Sequence, residues 1–259
     1  MSVYGRIMPR VTINLSSIRS NYKLLKSKIS HSILASVLKA NAYGLGIEKV
    51  APTLSKAGCN IFFVATLDEG IELRHILPKT TIYILHGFFS ESYSDYQKFK
   101  LKPILNSVEQ IKDWLPYTDI IAGVQIDTGM LRLGLTPRNL QNLKNKGGKN
   151  IELIMSHLAC ADDPNNEKNL DQLAKFNDAI IDFKPKYISL AASSGIFLGH
   201  DYHHNLCRAG AALFGINPTP LEPNQMKSAI RLQTGILQVQ QINGPGTVGY
   251  GGTYKISRT

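Results

Sequence analysis

The stretch SILASVLKANAYGLG, residues 32–46, joins an apolar run to a lysine and a glycine-containing turn. The apolar run 33–38 has the length of a buried β-strand, and Lys39 follows it directly. The next segment, 47–57, has the apolar spacing of an amphipathic helix. A strand, a polar turn and a helix in this order form one unit of a parallel sheet, with Lys39 at the carboxyl end of the strand.

The same order of strand and helix repeats along most of the chain. Eight strands within about 220 residues match the size of a (β/α)8 barrel, so the predicted fold class is α/β. A doubly wound open sheet is the alternative, although no G-x-G-x-x-G motif follows a predicted strand. The predicted strands are 32–38, 61–65, 81–85, 103–105, 120–127, 151–156, 187–191 and 206–208. The predicted helices are 15–28, 47–57, 67–76, 108–115, 137–145 and 167–183.

The pattern changes in the last part of the chain. The segment SAIRLQTGILQVQQ, residues 228–241, alternates with period two, and NGPG at 243–246 leads as a turn into 247–254. These features predict antiparallel sheet. We therefore predict a barrel over residues 1–225 and the beginning of a C-terminal β-domain over 226–259. Because an isolated hairpin is at best marginally stable, we expect this β-domain to be incomplete.

Composition excludes several classes of protein. The chain has 259 residues, of which 43% are hydrophobic, too many for a disordered chain. No apolar run approaches the ~18 residues of a membrane span, and the N-terminus lacks the apolar core of a signal peptide. Three scattered cysteines predict neither a disulfide framework nor a zinc site, and they favour a reducing cytoplasm. The net charge of +10 suits an anionic small ligand, because no nucleic-acid-binding motif accompanies it.

Reactive residues follow three of the predicted strands. Lys39 suits Schiff-base chemistry, which needs a neutral amine in an apolar environment, or it is a lysine whose charged end reaches solvent. In DTGMLRLG, residues 127–134, glycines permit a turn that aims Arg132 inward to bind a carboxylate. The alternative is a surface arginine. His157 follows the sixth strand and is either a site residue or a structural histidine.

The last two barrel loops contain the groups that a phosphate needs. AASSG at 191–195 follows the seventh strand, and RAGA at 208–211 follows the eighth. Phosphates bind in this part of a (β/α)8 barrel, to hydroxyl groups and to backbone N–H groups. The histidine-rich HDYHH at 200–204 lies between them, but no distant ligand set matches it, so we predict no metal.

Five motifs together resemble one family. SVLKANAYGLG at 36–46 resembles the pyridoxal-phosphate lysine motif of alanine racemases. Its other signatures resemble DTGMLRLG (127–134), SHLACAD (156–162), CRAGAALFG (207–215) and VGYGGTY (248–254), which follow in family order. The resemblance implies a barrel followed by a β-domain, an isomerase that interconverts L- and D-alanine for peptidoglycan, and a cytoplasmic homodimer whose active sites are shared between subunits.

The resemblance also implies a role for each matching residue. Lys39 would hold pyridoxal 5'-phosphate covalently and act as the base on the D-alanine side, and Tyr250 would be the opposite base, serving L-alanine. The cofactor phosphate would be bound by Tyr43, Ser193 and the backbone at Gly210 and Ala211.

Three further residues complete the implied site. Arg208 would face the pyridine nitrogen of the cofactor. Arg132 would lie near the phenolic oxygen of the cofactor and the substrate carboxylate. His157 would belong to the hydrogen-bond network around Arg208 and the second base.

The chain departs from the family pattern at several positions. Gln125 stands where many members carry a carbamylated lysine, Leu131 replaces a common glycine, and Ala192 replaces a common asparagine. The sequence ends soon after Tyr250, so we expect a truncated β-domain. Two alternatives therefore stay open: a racemase for another small amino acid such as serine, and a non-catalytic or degenerate barrel that binds pyridoxal phosphate.

Overall fold

The computed structural model describes residues 8–117, 119–145 and 150–257. Its strands are β1 (Arg10–Ile13), β2 (Ile33–Val37), β3 (Ile61–Val64), β4 (Thr81–Ile84), β5 (Lys102–Leu105), β6 (Ala122–Gln125), β7 (Ile151–Met155), β8 (Tyr187–Ser189), β9 (Leu206–Ala209), β10 (Ile230–Gln233), β11 (Gly246–Val248) and β12 (Tyr254–Ile256). Its helices are α1 (Leu15–Lys28), α2 (Lys39–Tyr43), α3 (Ile47–Lys56), α4 (Leu67–Ile76), α5 (Tyr93–Phe99), α6 (Val108–Trp114), α7 (Pro137–Asn145) and α8 (Lys168–Ile180).

Eight parallel strands form the predicted barrel. They lie in the order β8-β7-β6-β5-β4-β3-β2-β9, so β2 pairs with both β3 and β9. The remaining gap lies between β8 and β9. It is closed by a parallel bridge between Ala192 and Arg208, where the N–H of Arg208 donates to the carbonyl of Ala191 at 3.0 Å. The predicted (β/α)8 barrel is therefore confirmed, and the alternative of an open sheet is wrong.

The barrel interior is filled by side chains from alternate strand positions. Phe63 and Tyr83 stack with their ring centroids 4.9 Å apart. Gly123 of β6 leaves room for Ile104, since a Cβ at Gly123 would lie 2.6 Å from the Cδ1 atom of Ile104. The buried interior residues are Ala35, Ile61, Phe63, Tyr83, Ile104, Leu153, Met155 and Leu206.

A charged pair lies near the amino ends of the strands. Lys102, the first residue of β5, forms an ion pair with Glu152 of β7, and Tyr83 donates its hydroxyl to the same carboxylate oxygen. Both charged side chains are largely buried, with exposed fractions of 21% and 14%. We call Lys102, Glu152 and Tyr83 the lower cluster.

At the opposite end, the chain leaves β2 through an unusual turn. Four successive non-glycine residues of α2, from Ala40 to Tyr43, have φ between 51° and 57°. This left-handed conformation costs on the order of 1 kcal/mol for each non-glycine residue. Gly44 ends the turn with φ 82°. We call residues 40–43 the left-handed turn.

The described chain divides into two units by contacts. One unit spans Ile13–Ile230 and holds the barrel. The other consists of the described residues up to Thr12 and from Arg231 onward; in it β11 pairs antiparallel with β12. The predicted division at 225/226 stays a prediction.

Two features of the strand pattern differ from the expectation. The alternation predicted through residue 241 forms a strand only to Gln233, and this strand pairs with β1 rather than with the segment after the 243–246 turn. Neither the strand β1 nor the helix α5 was predicted: β1 is only four residues long, and α5 is short and lacks an apolar period. Among the described residues, no helix combines the length and apolar character that a membrane span requires.

Candidate active site

A cavity of about 320 Å³ opens at the carboxyl ends of the barrel strands. It brings together all the predicted site residues that belong to the barrel: Lys39, Tyr43, Arg132, His157, Ser193, Arg208, Gly210 and Ala211. Tyr250 belongs to the other unit, where its side chain is fully exposed. The placement agrees with the general position of active sites in this fold.

Lys39 stands between β2 and the left-handed turn. It lines the cavity, and its side chain is exposed to solvent. In this structure the amine therefore lies in a cavity open to solvent rather than in an apolar enclosure. Asn41 stabilises the end of the turn, because its side-chain oxygen accepts the N–H of Ile47 at 2.7 Å. Lys39 precedes the turn and Tyr43 is its last residue, and both residues line the cavity.

Tyr43 packs against the loop that follows β9. Its ring centroid lies 5.0 Å from that of Phe214, and burial raises the pKa of the hydroxyl. A Cβ at Gly210 would lie 2.4 Å from this hydroxyl oxygen. Glycine at 210 is therefore required for the hydroxyl of Tyr43 to reach the loop.

Ser193 shapes the same loop from the other side. Its Oγ accepts hydrogen bonds from the N–H groups of Gly210, at 3.0 Å, and Ala212, at 3.2 Å. Among the described residues, none accepts a hydrogen bond from the N–H of Ala211. The loop thus offers an N–H donor at a barrel position where phosphates bind.

Arg208 is a buried cation on β9, with 3% of its surface exposed. Its Nη1 donates to the carbonyl of Ser189 at 3.0 Å and to the Ser189 hydroxyl at 2.6 Å, and its Nη2 donates to the carbonyl of Ser156 at 2.7 Å. No carboxylate in the described part of the chain forms an ion pair with it. Burial lowers its pKa to about 10, so the guanidinium stays charged at neutral pH.

His157 is held as a neutral imidazole. Its pKa is lowered to about 3, first by burial and then by the positive charges of Arg208, Arg132 and Lys39. Its Nδ1 lies 3.4 Å from Nη2 of Arg208, which can only donate. The acceptor is therefore Nδ1, and the ring proton is on Nε2.

A polar network that the sequence did not predict lies beside His157 and Arg208. Ser156 donates its hydroxyl to the carbonyl of Ile126 at 2.7 Å and lies 2.8 Å from the hydroxyl of Thr128. The amide of Gln172 donates to Thr128 at 3.2 Å and to the carbonyl of His157 at 3.0 Å. These residues are far apart in sequence, and no local pattern identifies them.

The loop before Arg132 is organised by Asp127. One carboxylate oxygen accepts the N–H groups of Gly129, Met130 and Leu131 at 2.8 to 3.1 Å. Leu131 has φ 57° and is 85% exposed, so a leucine occupies a conformation that glycine adopts without strain. The predicted turn is present, and Arg132 lines the cavity.

Gln125 also lines the cavity and is 7% exposed. Its amide donates to the carbonyl of Leu133 at 2.9 Å, which fixes the far end of the Arg132 loop. Within the described residues, no cluster of three metal-ligating side chains is found, and this includes the histidine-rich segment at 200–204.

The lysine after the first barrel strand and the N–H donor loop after the last suit a (β/α)8-barrel enzyme that binds a phosphate-bearing ligand through an amine and backbone N–H groups. The family model of the alanine racemase N-terminal domain matches residues 13–218. The chain belongs to the alanine racemase family.

Individual relatives agree with this assignment. The catabolic alanine racemase of Agrobacterium fabrum is 41% identical over 98% of this chain and 68% of its own length. The alanine racemase of Rhodospirillum rubrum is 40% identical over 94% of this chain and 68% of its own length. The crystal structure of alanine racemase from Bartonella henselae with covalently bound pyridoxal phosphate has a TM-score of 0.86 and 35% identity, and the match covers 96% of this chain and 72% of that one.

Proposed function

We propose that this protein interconverts L- and D-alanine with pyridoxal 5'-phosphate. The observation that carries the proposal is the single cavity that collects Lys39, the buried Arg208 and the loop at Gly210 and Ala211. The similar proteins are named for alanine and not for another amino acid, which favours alanine over serine. Membership of a catalytic family likewise favours an enzyme over a non-catalytic barrel.

The residues present fit the cofactor. Lys39 supplies an amine for covalent attachment; it lines the cavity, and no carboxylate of the described residues forms an ion pair with it. The hydroxyl of Tyr43, Ser193 and the N–H of Ala211 suit its phosphate, and Gly210 admits the tyrosine hydroxyl to this region. When bound, pyridoxal phosphate supplies the electron-withdrawing ring that makes the Cα proton of alanine removable.

Two bases on opposite faces would move that proton. Lys39 would exchange the proton on the D-alanine side, and Tyr250 on the L-alanine side. The configuration at Cα would be inverted only if a proton returned to the face opposite the one that it left, so a base on one face would be insufficient. Arg132, held by the Asp127 loop, would bind the substrate carboxylate.

Arg208 would set the electronic character of the site. A guanidinium offers only donors, so the pyridine nitrogen would accept a hydrogen bond from it and stay unprotonated. This weakens electron withdrawal and limits side reactions such as transamination. The neutral His157 would orient Arg208 by accepting at Nδ1.

We further propose that the protein is a cytoplasmic homodimer with shared active sites, and that it supplies D-alanine for peptidoglycan. The catabolic name of the Agrobacterium relative favours the opposite use, in which D-alanine is consumed. Deletion of the gene separates the two. A requirement for added D-alanine supports supply, and failure to grow on D-alanine as sole nitrogen source supports consumption.

The reaction itself is tested with the purified chain and added pyridoxal phosphate. We expect D-alanine from L-alanine, a borohydride-trapped adduct on Lys39, and loss of both in Lys39→Ala. An adduct that survives in Lys39→Ala contradicts the assignment. For Tyr250→Phe, we expect solvent-deuterium exchange to fall much more from one enantiomer than from the other; equal losses contradict the two-base scheme.

A further inference from the structure

The segment that carries Lys39 is held by an acidic side chain from another element. Glu69 lies in the first turn of α4, which follows β3, the strand that pairs with β2. Its Oε1 accepts the N–H of Ala40 at 2.6 Å. Its Oε2 accepts the N–H of Ala65 at 2.7 Å and that of Thr66 at 3.3 Å. One carboxylate therefore joins the residue after Lys39 to the end of the neighbouring strand.

The backbone of the left-handed turn has few hydrogen bonds to other elements, although Ala42 is buried and Tyr43 packs against Phe214. Its own bonds are local: the N–H of Ala42 donates to the carbonyl of Leu38, and the N–H of Gly44 donates to the carbonyl of Ala40. In the described chain, Glu69 is the only side chain from another element that hydrogen-bonds to the backbone of Lys39–Tyr43. A strained conformation persists where its surroundings hold it, and a charged acceptor forms the stronger kind of hydrogen bond.

We propose that Glu69 is a positioning residue of the racemase site, which keeps the left-handed turn in place so that Lys39 and Tyr43 face the same cavity. This inference rests on the proposed function for its catalytic consequence. Glu69 does not line the cavity, so it acts through the backbone of Ala40. Without it, the turn relaxes toward an unstrained conformation and its two ends separate.

Helix capping is the other role of Glu69, and Thr66 provides the matched control. The Thr66 hydroxyl accepts the N–H of Glu69 at 3.3 Å, which completes the capping box of α4. Thr66→Ala removes that half of the box and leaves the contact to Ala40. Glu69→Ala removes both functions. In Glu69→Gln, the side chain keeps one oxygen, but its NH2 group must face an N–H donor at either Ala40 or Ala65, so only part of the effect is rescued.

The test measures the turn and the cofactor separately. Hydrogen exchange of peptides covering 38–47, in the cofactor-free chain, is expected to accelerate roughly 10-fold in Glu69→Ala, the effect of losing one hydrogen bond to a charged group. Thr66→Ala is expected to leave this segment unchanged and to lower the melting temperature only. Glu69→Gln should fall between Glu69→Ala and the unmodified chain. If Glu69→Ala and Thr66→Ala change exchange equally, Glu69 is only a cap and the proposal is wrong.

Titration with pyridoxal phosphate, followed by its absorbance, gives the second readout. We expect Glu69→Ala to bind about 10-fold more weakly and Thr66→Ala to bind normally. Unchanged affinity in Glu69→Ala overturns the proposed link to Lys39. If the unmodified chain forms no adduct at Lys39, the proposed function fails, while the exchange measurement still decides the role of Glu69 in the turn.

Discussion

The two ends of the barrel differ in the partners that they give to a buried positive charge. In the lower cluster, Lys102 is paired with Glu152, which also accepts the hydroxyl of Tyr83. At the carboxyl end, Arg208 is more deeply buried but is held only by carbonyl oxygens, a hydroxyl and the nitrogen of His157. Among the described residues, therefore, no carboxylate compensates the charge of Arg208.

We relate the paired charge at the amino end of the barrel to stability and the charge of Arg208 at the carboxyl end to function. Removing one partner of a buried ion pair destabilises the fold, because the other charge is left desolvated and unpaired. An uncompensated charge instead favours a ligand that accepts hydrogen bonds or carries negative charge. The amino end of a (β/α)8 barrel is usually concerned with stability, and its carboxyl end with catalysis. Four experiments, three of them with a comparison variant, follow from this difference.

The largest effect is expected from pH at His157. Its pKa of about 3 in the folded chain lies below the ordinary 6.5, so the unfolded chain binds the extra proton between these values. Stability is therefore present above pH 6.5 and is lost as pH falls toward 3, by roughly 5 kcal/mol for the full shift. Urea unfolding at pH 8, 6 and 4 should show a shallower loss in His157→Gln. An identical loss would mean that burial and the neighbouring cations do not lower the pKa of this imidazole.

Glu152→Ala tests the lower cluster. It leaves the Lys102 ammonium and the Tyr83 hydroxyl without their acceptor, and we expect the free energy of unfolding to fall by about 3 kcal/mol. Affinity for pyridoxal phosphate should be unchanged. Asp171→Ala is the control, because it breaks the exposed Lys175–Asp171 pair, and the expected loss is below about 0.5 kcal/mol. Equal losses in the two variants would show that the lower cluster contributes no more to the free energy of unfolding than an exposed ion pair does.

Arg208→Met should show the reverse of Glu152→Ala, with a large loss of activity and little loss of stability. We expect racemisation to fall about 100-fold or more, as when a preorganised donor is removed from an active site. The free energy of unfolding should change by less than about 1 kcal/mol, because relief from burying an uncompensated charge offsets the lost hydrogen bonds. A loss of stability as large as that of Glu152→Ala would break the separation between the two ends.

Leu131→Gly gives the smallest expected effect. Removing the side chain relieves the strain at φ 57°, while the greater freedom of glycine in the unfolded chain opposes this gain. We expect a net increase in unfolding free energy of up to about 1 kcal/mol. Leu133→Gly, in the same loop but without a positive φ, should instead destabilise, and thermal unfolding of both variants makes the comparison.

The fold was predictable because its signals are local. Each barrel strand is a short apolar run, and the predicted helices 15–28, 67–76 and 137–145 coincide with α1, α4 and α7. The pairing of β1 with β10 was not predictable, because it joins segments at opposite ends of the chain. Alternation in the sequence indicates a strand but not its partner.

The site was predictable only where residues follow the ends of strands. Lys39, His157 and Arg208 stand out because a charged or polar group follows or interrupts an apolar run. Ser189 and Glu69 were missed, since they act on residues 19 and 29 positions away and each has an ordinary local explanation as a strand serine and a helix cap. Supporting contacts of this kind become visible only in three dimensions.

The left-handed turn also has a consequence for the sequences that evolution or directed mutagenesis can explore. Valine, isoleucine and threonine are poorly suited to positive φ, whereas glycine, asparagine and aspartate tolerate it. A saturation library at residues 40–42, selected for D-alanine production, should therefore return a narrow set of small or amide side chains. Positions beside Lys39 would be constrained in that library by backbone geometry, although no chemical role is proposed for their side chains.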